Sequence, residues 1–244
     1  MHYLSCGEIW GGINNCDDDI VSAGLTASLY SVASDGGKGG DIYYLSLCDS
    51  NALTRMVLAD VVGHGQDVSQ ISQIIYQTIK LHMNDGGGDK LLAELNQTAL
   101  KIGLDAMTTM VVAGFYKLDG NLYFANAGHP PALIKPKNES SWLELKLSKG
   151  VNDPVLGVLP KTDYTQSAMR VNSGDCLMLY SDGLTEAHHD QKGFFTKSRL
   201  IDLLNQYPKA STSKLKHIVV DEVRRFTGGS LKHDDVTIMI VRID

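Results

Sequence analysis

The stretch Arg55-Met56-Val57-Leu58-Ala59-Asp60-Val61-Val62-Gly63-His64-Gly65 decides how the rest of the chain is read. From Arg55 to Val62 it is almost continuously apolar, without the alternation of a strand that shows one face to water. Such a run belongs to a strand covered on both faces, and the glycines after it end the strand. An internal strand therefore carries Asp60 to its own edge.

Downstream, Ile71, Ile74, Ile75, Thr78, Ile79 and His82 recur at helical spacing and predict a helix over 67–82. Leu91, Leu92, Leu95, Leu100 and Ile102 predict a second helix after Asp89. Upstream, Ala23 to Ala33 and Asp41 to Cys48 read as strands on either side of the glycine-rich turn 34–40, and are expected to pair as neighbours. Thr108 to Leu118 and Asn121 to Ala125 form a hairpin through Asp119-Gly120, whose glycine takes the positive φ of a tight turn. Ala132 to Lys135, Trp142 to Leu147 and Ala168 to Val171 read as shorter strands. The apolar run Cys176 to Tyr180 then brings another buried strand to a glycine turn at Ser181-Asp182-Gly183. Helices are predicted over 197–205 and 213–226, and Val236 to Arg242 closes the chain as a strand after His233-Asp234-Asp235. Strands joined by tight turns, with helices grouped between the runs, point to an α+β fold: two stacked, mainly antiparallel sheets flanked by helices, not a doubly wound parallel sheet.

With 244 residues, 43% hydrophobic and 20% charged, the chain has the composition of a globular protein able to bury about 70% of its unfolded surface. No linker or low-complexity run divides it, so one domain over 1–244 is expected. A net charge of -6 disfavours general affinity for nucleic acid or an anionic membrane. The basic cluster Lys214, Lys216, Arg224 and Arg225 is interrupted by Asp221 and Glu222 and reads as a solvated helix face. No apolar stretch approaches the roughly 18 residues of a membrane span, and the Met-His-Tyr-Leu start lacks a signal sequence, so a cytoplasmic location is expected. Cys6, Cys16, Cys48 and Cys176 show no close metal or redox spacing; Cys48 and Cys176 lie in apolar runs and read as buried, inert thiols.

Four places share one pattern, an aspartate at the rim of an apolar strand beside glycine or a second acid. They are Gly39-Gly40-Asp41, Asp60 within the opening stretch, Ser181-Asp182-Gly183 and Asp234-Asp235-Val236-Thr237. Taken singly, aspartate before glycine is a turn signal. Four such carboxylates beside buried sheet repel one another and lose hydration, at several kcal/mol per isolated ion unless a cation compensates. Magnesium and manganese accept oxygen ligands and keep several waters, so a few carboxylates and a carbonyl suffice; zinc asks for histidine and cysteine. Two such ions together acidify water and clamp phosphoryl oxygens.

These motifs, in this order and with Asn126-Ala127-Gly128-His129-Pro130-Pro131 between them, resemble the SpoIIE-like branch of the PPM (type 2C) protein phosphatases. The likeness runs from about Gly24 to the C-terminus, and Trp10-Gly11-Gly12 with Asn14 looks like the start of some members. The resemblance implies a four-layer α-β-β-α sandwich with a binuclear site for two Mn2+ or Mg2+ ions at one edge. It makes Asp60, Asp182 and Asp234 the catalytic set. Asp60 would be shared between the ions, with Asp182 and Asp234 on one side and Asp41 plus the Val61 carbonyl on the other, Asp41 acting directly or through water. Asp235 is the weaker member of its pair, since neighbours on a strand point apart, and its alternative role is to orient the loop. The implied partner is a phosphorylated regulatory protein of the kind met in bacterial partner switching, such as a STAS-domain antagonist of an anti-sigma factor. A homodimer or an activating partner protein is a further implied association, because no sensor or receiver domain is expected ahead of the catalytic part.

Tyr44 departs from the pattern, where many members carry a second aspartate. His64 and His129 each read as a proton donor or as the stabiliser of a turn, and the Asn126–Pro131 loop as a rigid turn at the catalytic rim. His188-His189 reads as exposed surface and Asp17-Asp18-Asp19 as a solvated loop. Gly39 stands where a phosphate-binding loop needs Ser or Thr, and Cys48 with Arg55 lacks a glycine-rich cradle, which argues against nucleotide binding and a cysteine phosphatase. An inactive module that docks a partner, and a hydrolase of small phosphoesters, are the competing functions.

Overall fold

The computed structural model of the chain describes residues 1–48, 51–63, 66–150, 153–229 and 231–244. Strands β1 (His2–Tyr3), β2 (Ile9–Asn14), β3 (Cys16–Ser22), β4 (Leu25–Val32), β5 (Lys38–Leu47) and β6 (Leu53–Val61) lead into helices α1 (Gln66–His82) and α2 (Gly88–Ile102). The hairpin β7 (Thr108–Tyr116) and β8 (Asn121–Ala127) follows, then β9 (Leu133–Lys135), β10 (Leu143–Glu144), β11 (Ser167–Arg170) and β12 (Cys176–Tyr180). A one-turn helix α3 (Asp182–Thr185) and the ribbon β13 (His188–His189) and β14 (Gly193–Phe194) precede α4 (Lys197–Asn205), α5 (Thr212–Phe226) and β15 (Val236–Ile243).

The strands form two large sheets, ordered β1-β3-β4-β15-β12-β9-β10 and β11-β8-β7-β6-β5-β2. Every pairing within them is antiparallel except β1 with β3. Leu25, Ala27 and Leu29 of the first sheet face Tyr43, Leu45 and Leu58 of the second across a shared core. The outer face of the second sheet is covered by α1 and α2 through Ile75, Ile79, Leu92 and Leu95, and that of the first by α4 and α5 through Leu200, Leu204, Val219 and Val223. Each sheet is thus buried on both faces, which is why β6 and β15 read as continuous apolar runs. The expected α-β-β-α sandwich is present. Among the described residues no helix is long and apolar enough to cross a membrane.

The predicted hairpin forms, with Gly120 at φ 69°, but β7 ends at Tyr116 rather than Leu118: Tyr116 pairs with Asn121, and residues 117–120 make a four-residue turn closed by the Gly120 N–H donating to the Tyr116 carbonyl. Several expectations are corrected. The strands around the glycine-rich segment do not pair: β4 lies between β3 and β15, whereas β5 lies between β2 and β6. A tight turn already folds β3 onto one edge of β4, and β15 takes the other, so residues 33–37 carry the chain across to the second sheet. Asp17-Asp18-Asp19 is not a loop but part of β3, and the period of two splits the acids between faces. Lys216, read as solvated, is 1% exposed on α5; its Nζ pairs with Asp17 at 2.6 Å and Asp19 at 3.4 Å and donates to the Leu29 carbonyl. Cys48 and Cys176 are half-buried, not buried, and His188-His189 is half-buried in β13. The strand expected over 142–147 shrinks to β10 because Trp142 is buried against the α4 layer, its backbone N–H donating to Asn205 Oδ1.

Candidate metal centre

Asp41 on β5 and Asp60 on β6 are cross-strand partners, and Thr109 on β7 faces Asp60 from the other side. Alternation places Asp41 on the same face as Tyr43 and Leu45, toward the first sheet. There β12 ends and β15 begins side by side, Tyr180 paired with Ile238. Ser181-Asp182 extends from one and Asp234-Asp235 from the other, so four chain ends meet at one edge of the sandwich. Ser181 ties the sheets together: its hydroxyl donates to Asp41 Oδ2 at 2.7 Å and accepts the Thr237 N–H at 2.9 Å. Asp182 opens the one-turn helix α3, where a glycine turn was expected, because the Glu186 N–H bonds back to the Asp182 carbonyl.

Asp235 is buried and its two carboxylate oxygens accept the backbone N–H groups of Ser34 and Gly40. It therefore fastens the segment that crosses between sheets, which is the orienting role. Its own N–H donates to Asp234 Oδ1 at 2.8 Å, and Asp234 is exposed. The glycines of the motifs allow this close approach. A Cβ on Gly39 would overlap the Asp235 carboxylate, one on Gly183 the Asp235 carbonyl, and one on Gly40 would stand 2.6 Å from the Val61 carbonyl and 3.3 Å from Asp60 Oδ1.

The acids share one electrostatic field. Burial pushes the Asp60 carboxyl well above the usual range, and the charges of Asp41, Asp182, Asp234 and Asp235 raise it further. Asp41 is also raised by burial, against the lowering effect of the Thr237 and Ser181 hydroxyls. Asp182 is raised by burial and by Glu186. Asp41 Oδ1 is a buried carboxylate oxygen without a hydrogen-bond partner. Such an atom costs about 1–3 kcal/mol or more unless something compensates it. A hard dication fits: an orphaned carboxylate oxygen, a carbonyl and carboxyl oxygen side by side above Gly40, and further acids in the same field form an all-oxygen donor set. Among the described residues no three acidic, histidine or cysteine side chains already close on one ion-sized point.

Residues 50–244 match the family model described as stage II sporulation protein E, SpoIIE. The chain belongs to the SpoIIE family. Protein IcfG of Synechocystis is 29% identical over 172 residues, 66% of this chain and 26% of that protein. The phosphoserine phosphatase RsbU of Bacillus subtilis is 27% identical over 203 residues, 82% of this chain and 58% of that protein. The chain thus spans between about a quarter and three-fifths of these relatives. The SiaA-PP2C domain of Pseudomonas aeruginosa superposes with a TM-score of 0.78 at 19% identity, over 89% of this chain and 85% of that one, a likeness of fold. The chain is accordingly a SpoIIE-family protein with a sequence relative named as a phosphoserine phosphatase.

Within this SpoIIE-type edge, the Tyr44 departure falls on the opposite face of β5: Tyr44 packs toward α1, its ring 6.5 Å from that of Tyr76. His129 is buried, its Nδ1 2.8 Å from Thr109 Oγ1, and the Asn126 side chain closes its loop by bonding both the His129 N–H and carbonyl. Burial pushes its imidazole down to about 3, against the Tyr180 backbone, so it is neutral near pH 7 and serves the turn. His64 lies outside the described residues. Ser181, Thr237 and Thr109 carry parts in this edge that no single-motif reading assigned. The signal was available for Ser181, a hydroxyl on the last buried position before Asp182.

Proposed function

We propose that the chain is a Mn2+- or Mg2+-dependent phosphatase of phosphoserine and phosphothreonine on a small regulatory protein. The observation that carries this reading is Asp60 lying in the field of four other aspartates beside the unpartnered Asp41 Oδ1. Asp60 would be shared between two ions, with Asp182 and Asp234 toward one and Asp41 and the Val61 carbonyl toward the other. Bound there, the ions supply Lewis acidity toward the phosphoryl group and acidify water near neutral pH. Ser181 holds Asp41 by its hydroxyl, and Asp235 holds the neighbouring Gly40 backbone, so Asp41 is pre-positioned from the first sheet. Asp182 and Asp234 stand beyond strand ends with more solvent access than Asp41, which gives them room to turn inward and complete the shell. The family relationship to RsbU favours a phosphorylated partner-switching protein, such as a STAS-domain antagonist of an anti-sigma factor, and a cytoplasmic setting, with a homodimer or activating partner as the regulator.

The test is Mn2+-dependent phosphate release from a phosphoserine protein and from small phosphoesters. Asp182→Asn is expected to reduce turnover by about a hundredfold or more, as loss of charge stabilisation at a reacting phosphoryl group does. Activity untouched by Asp182→Asn overturns the reading, and no turnover beside intact partner capture overturns it in favour of a docking module. Higher efficiency on small phosphoesters than on the protein would assign a metabolite hydrolase.

A further inference from the structure

At the end of the second sheet away from the acids, a cavity of about 300 Å3 opens between the sheet and the α1–α2 connection. One cross-strand row explains it. Arg55, Gly114 and Tyr123 are paired residue to residue across β6, β7 and β8, and so project from one face. With glycine in the middle, a gap remains between a guanidinium stem and an aromatic ring. Val112 lies in the next row, and Leu91 of α2 closes the helix side. The backbone does not require this glycine: Gly114 is outside the positive-φ set, and an added Cβ would meet only Leu53, at 3.4 Å.

The rim carries one guanidinium, that of Arg55. Arg55 Nη1 donates to Asn84 Oδ1 at 2.9 Å, and among the described residues Arg55 has no carboxylate partner. Gly86 to Gly88, at the N-terminus of the 15-residue α2, form another part of the wall, and the N-cap Gly87 supplies no side-chain cap. The Gly88 N–H donates to Gln166 Oε1, and Asp89 offsets part of the helix-end field, which leaves the guanidinium as the main attraction for an anion. The volume falls at the small end of ligand pockets.

We propose that this cavity binds a small amphipathic carboxylate, the size of a medium-chain fatty acid, with its chain between Val112 and Leu91 and its carboxylate at Arg55. The apolar walls supply the affinity and the Arg55 guanidinium sets the orientation.

Isothermal titration of the full chain with hexanoate and octanoate, without metal or phosphate, tests this independently of the phosphatase reading. One saturable site is expected, with each added methylene tightening binding about fourfold. Arg55→Gln should weaken octanoate about tenfold while leaving octanol unchanged. Gly114→Leu fills the row and should abolish both, with folding checked by circular dichroism and thermal melting. Should Gly114→Leu not fold, Gly114→Ala, which needs only the Leu53 contact, should still weaken octanoate measurably. No saturable octanoate binding, octylamine binding as tightly as octanoate, or a folded Gly114 variant that binds like the parent overturns the proposal.

Discussion

Replacing Asp235 tests how the metal edge is built. Its buried carboxylate is the acceptor for two backbone donors, Ser34 N–H and Gly40 N–H, on the segment that crosses between the sheets. Asp235→Ala leaves both donors without that acceptor, at about 1–3 kcal/mol each, so a loss of about 2–6 kcal/mol is expected. Asp235→Asn keeps one acceptor oxygen and presents an amide to the other donor, so its loss should be about half as large. An opposing effect exists, because Asp235 raises the pKa of both Asp41 and Asp60 and its removal relieves repulsion. That relief is small near neutral pH, since burial pushes both groups upward and favours their protonated, uncharged forms without metal. At about 2–4 °C per kcal/mol for a chain of this size, Asp235→Ala should melt about 4–24 °C lower in chelator, with Asp235→Asn between it and the parent. Differential scanning calorimetry decides: an alanine variant that melts with the parent, or an asparagine variant that melts above it, refutes the latch and makes repulsion the dominant effect.

Gly40→Ala should place a Cβ against the Val61 carbonyl and Asp60, and weaken Mn2+ binding at least about tenfold by titration calorimetry, while an alanine at the open Gly36 should not. His129 is held far below its unfolded pKa, so the unfolded chain takes up the proton first as pH falls; stability is present above about 6.5 and drains toward about 3. Between pH 7 and about 5 this amounts to about 2 kcal/mol, and His129→Gln should flatten the denaturation profile by that amount. Lys216→Met should cost about 1–2 kcal/mol in urea unfolding, discounted because Asp17 and Asp19 keep some solvent, and adding Asp19→Asn should recover part of it.

The apolar runs 55–62 and 176–180 were legible because strands buried on both faces lack any competing helical or alternating period. The hairpin was legible because Gly120 supplies the positive φ of a tight turn between two strand-like runs, although the turn takes four residues, 117–120, and not two. The acids at 41, 60, 182 and 234 could be picked out since each sits at the rim of an apolar run beside glycine, a residue or two away, or beside a second acid. What remained hidden depends on contacts far apart in the chain. Asp17-Asp18-Asp19 looks like a solvated loop until Lys216, some two hundred residues later, is seen buried between its alternating members. The sheet change after β4 is invisible because a glycine-rich link suits a hairpin and a crossing equally well. Likewise Asp235 and Ser181 acquire their roles only through partners in the opposite sheet, and periodicity within one segment carries no record of them.

The most direct test of the central claim is to locate bound ions in crystals grown with Mn2+, using anomalous scattering at the manganese edge. Two peaks beside Asp60, one reached by Asp182 and Asp234 and one by Asp41 and the Val61 carbonyl, are the expected result. Peaks elsewhere on the surface, or an edge that stays unliganded at saturating Mn2+, would contradict it.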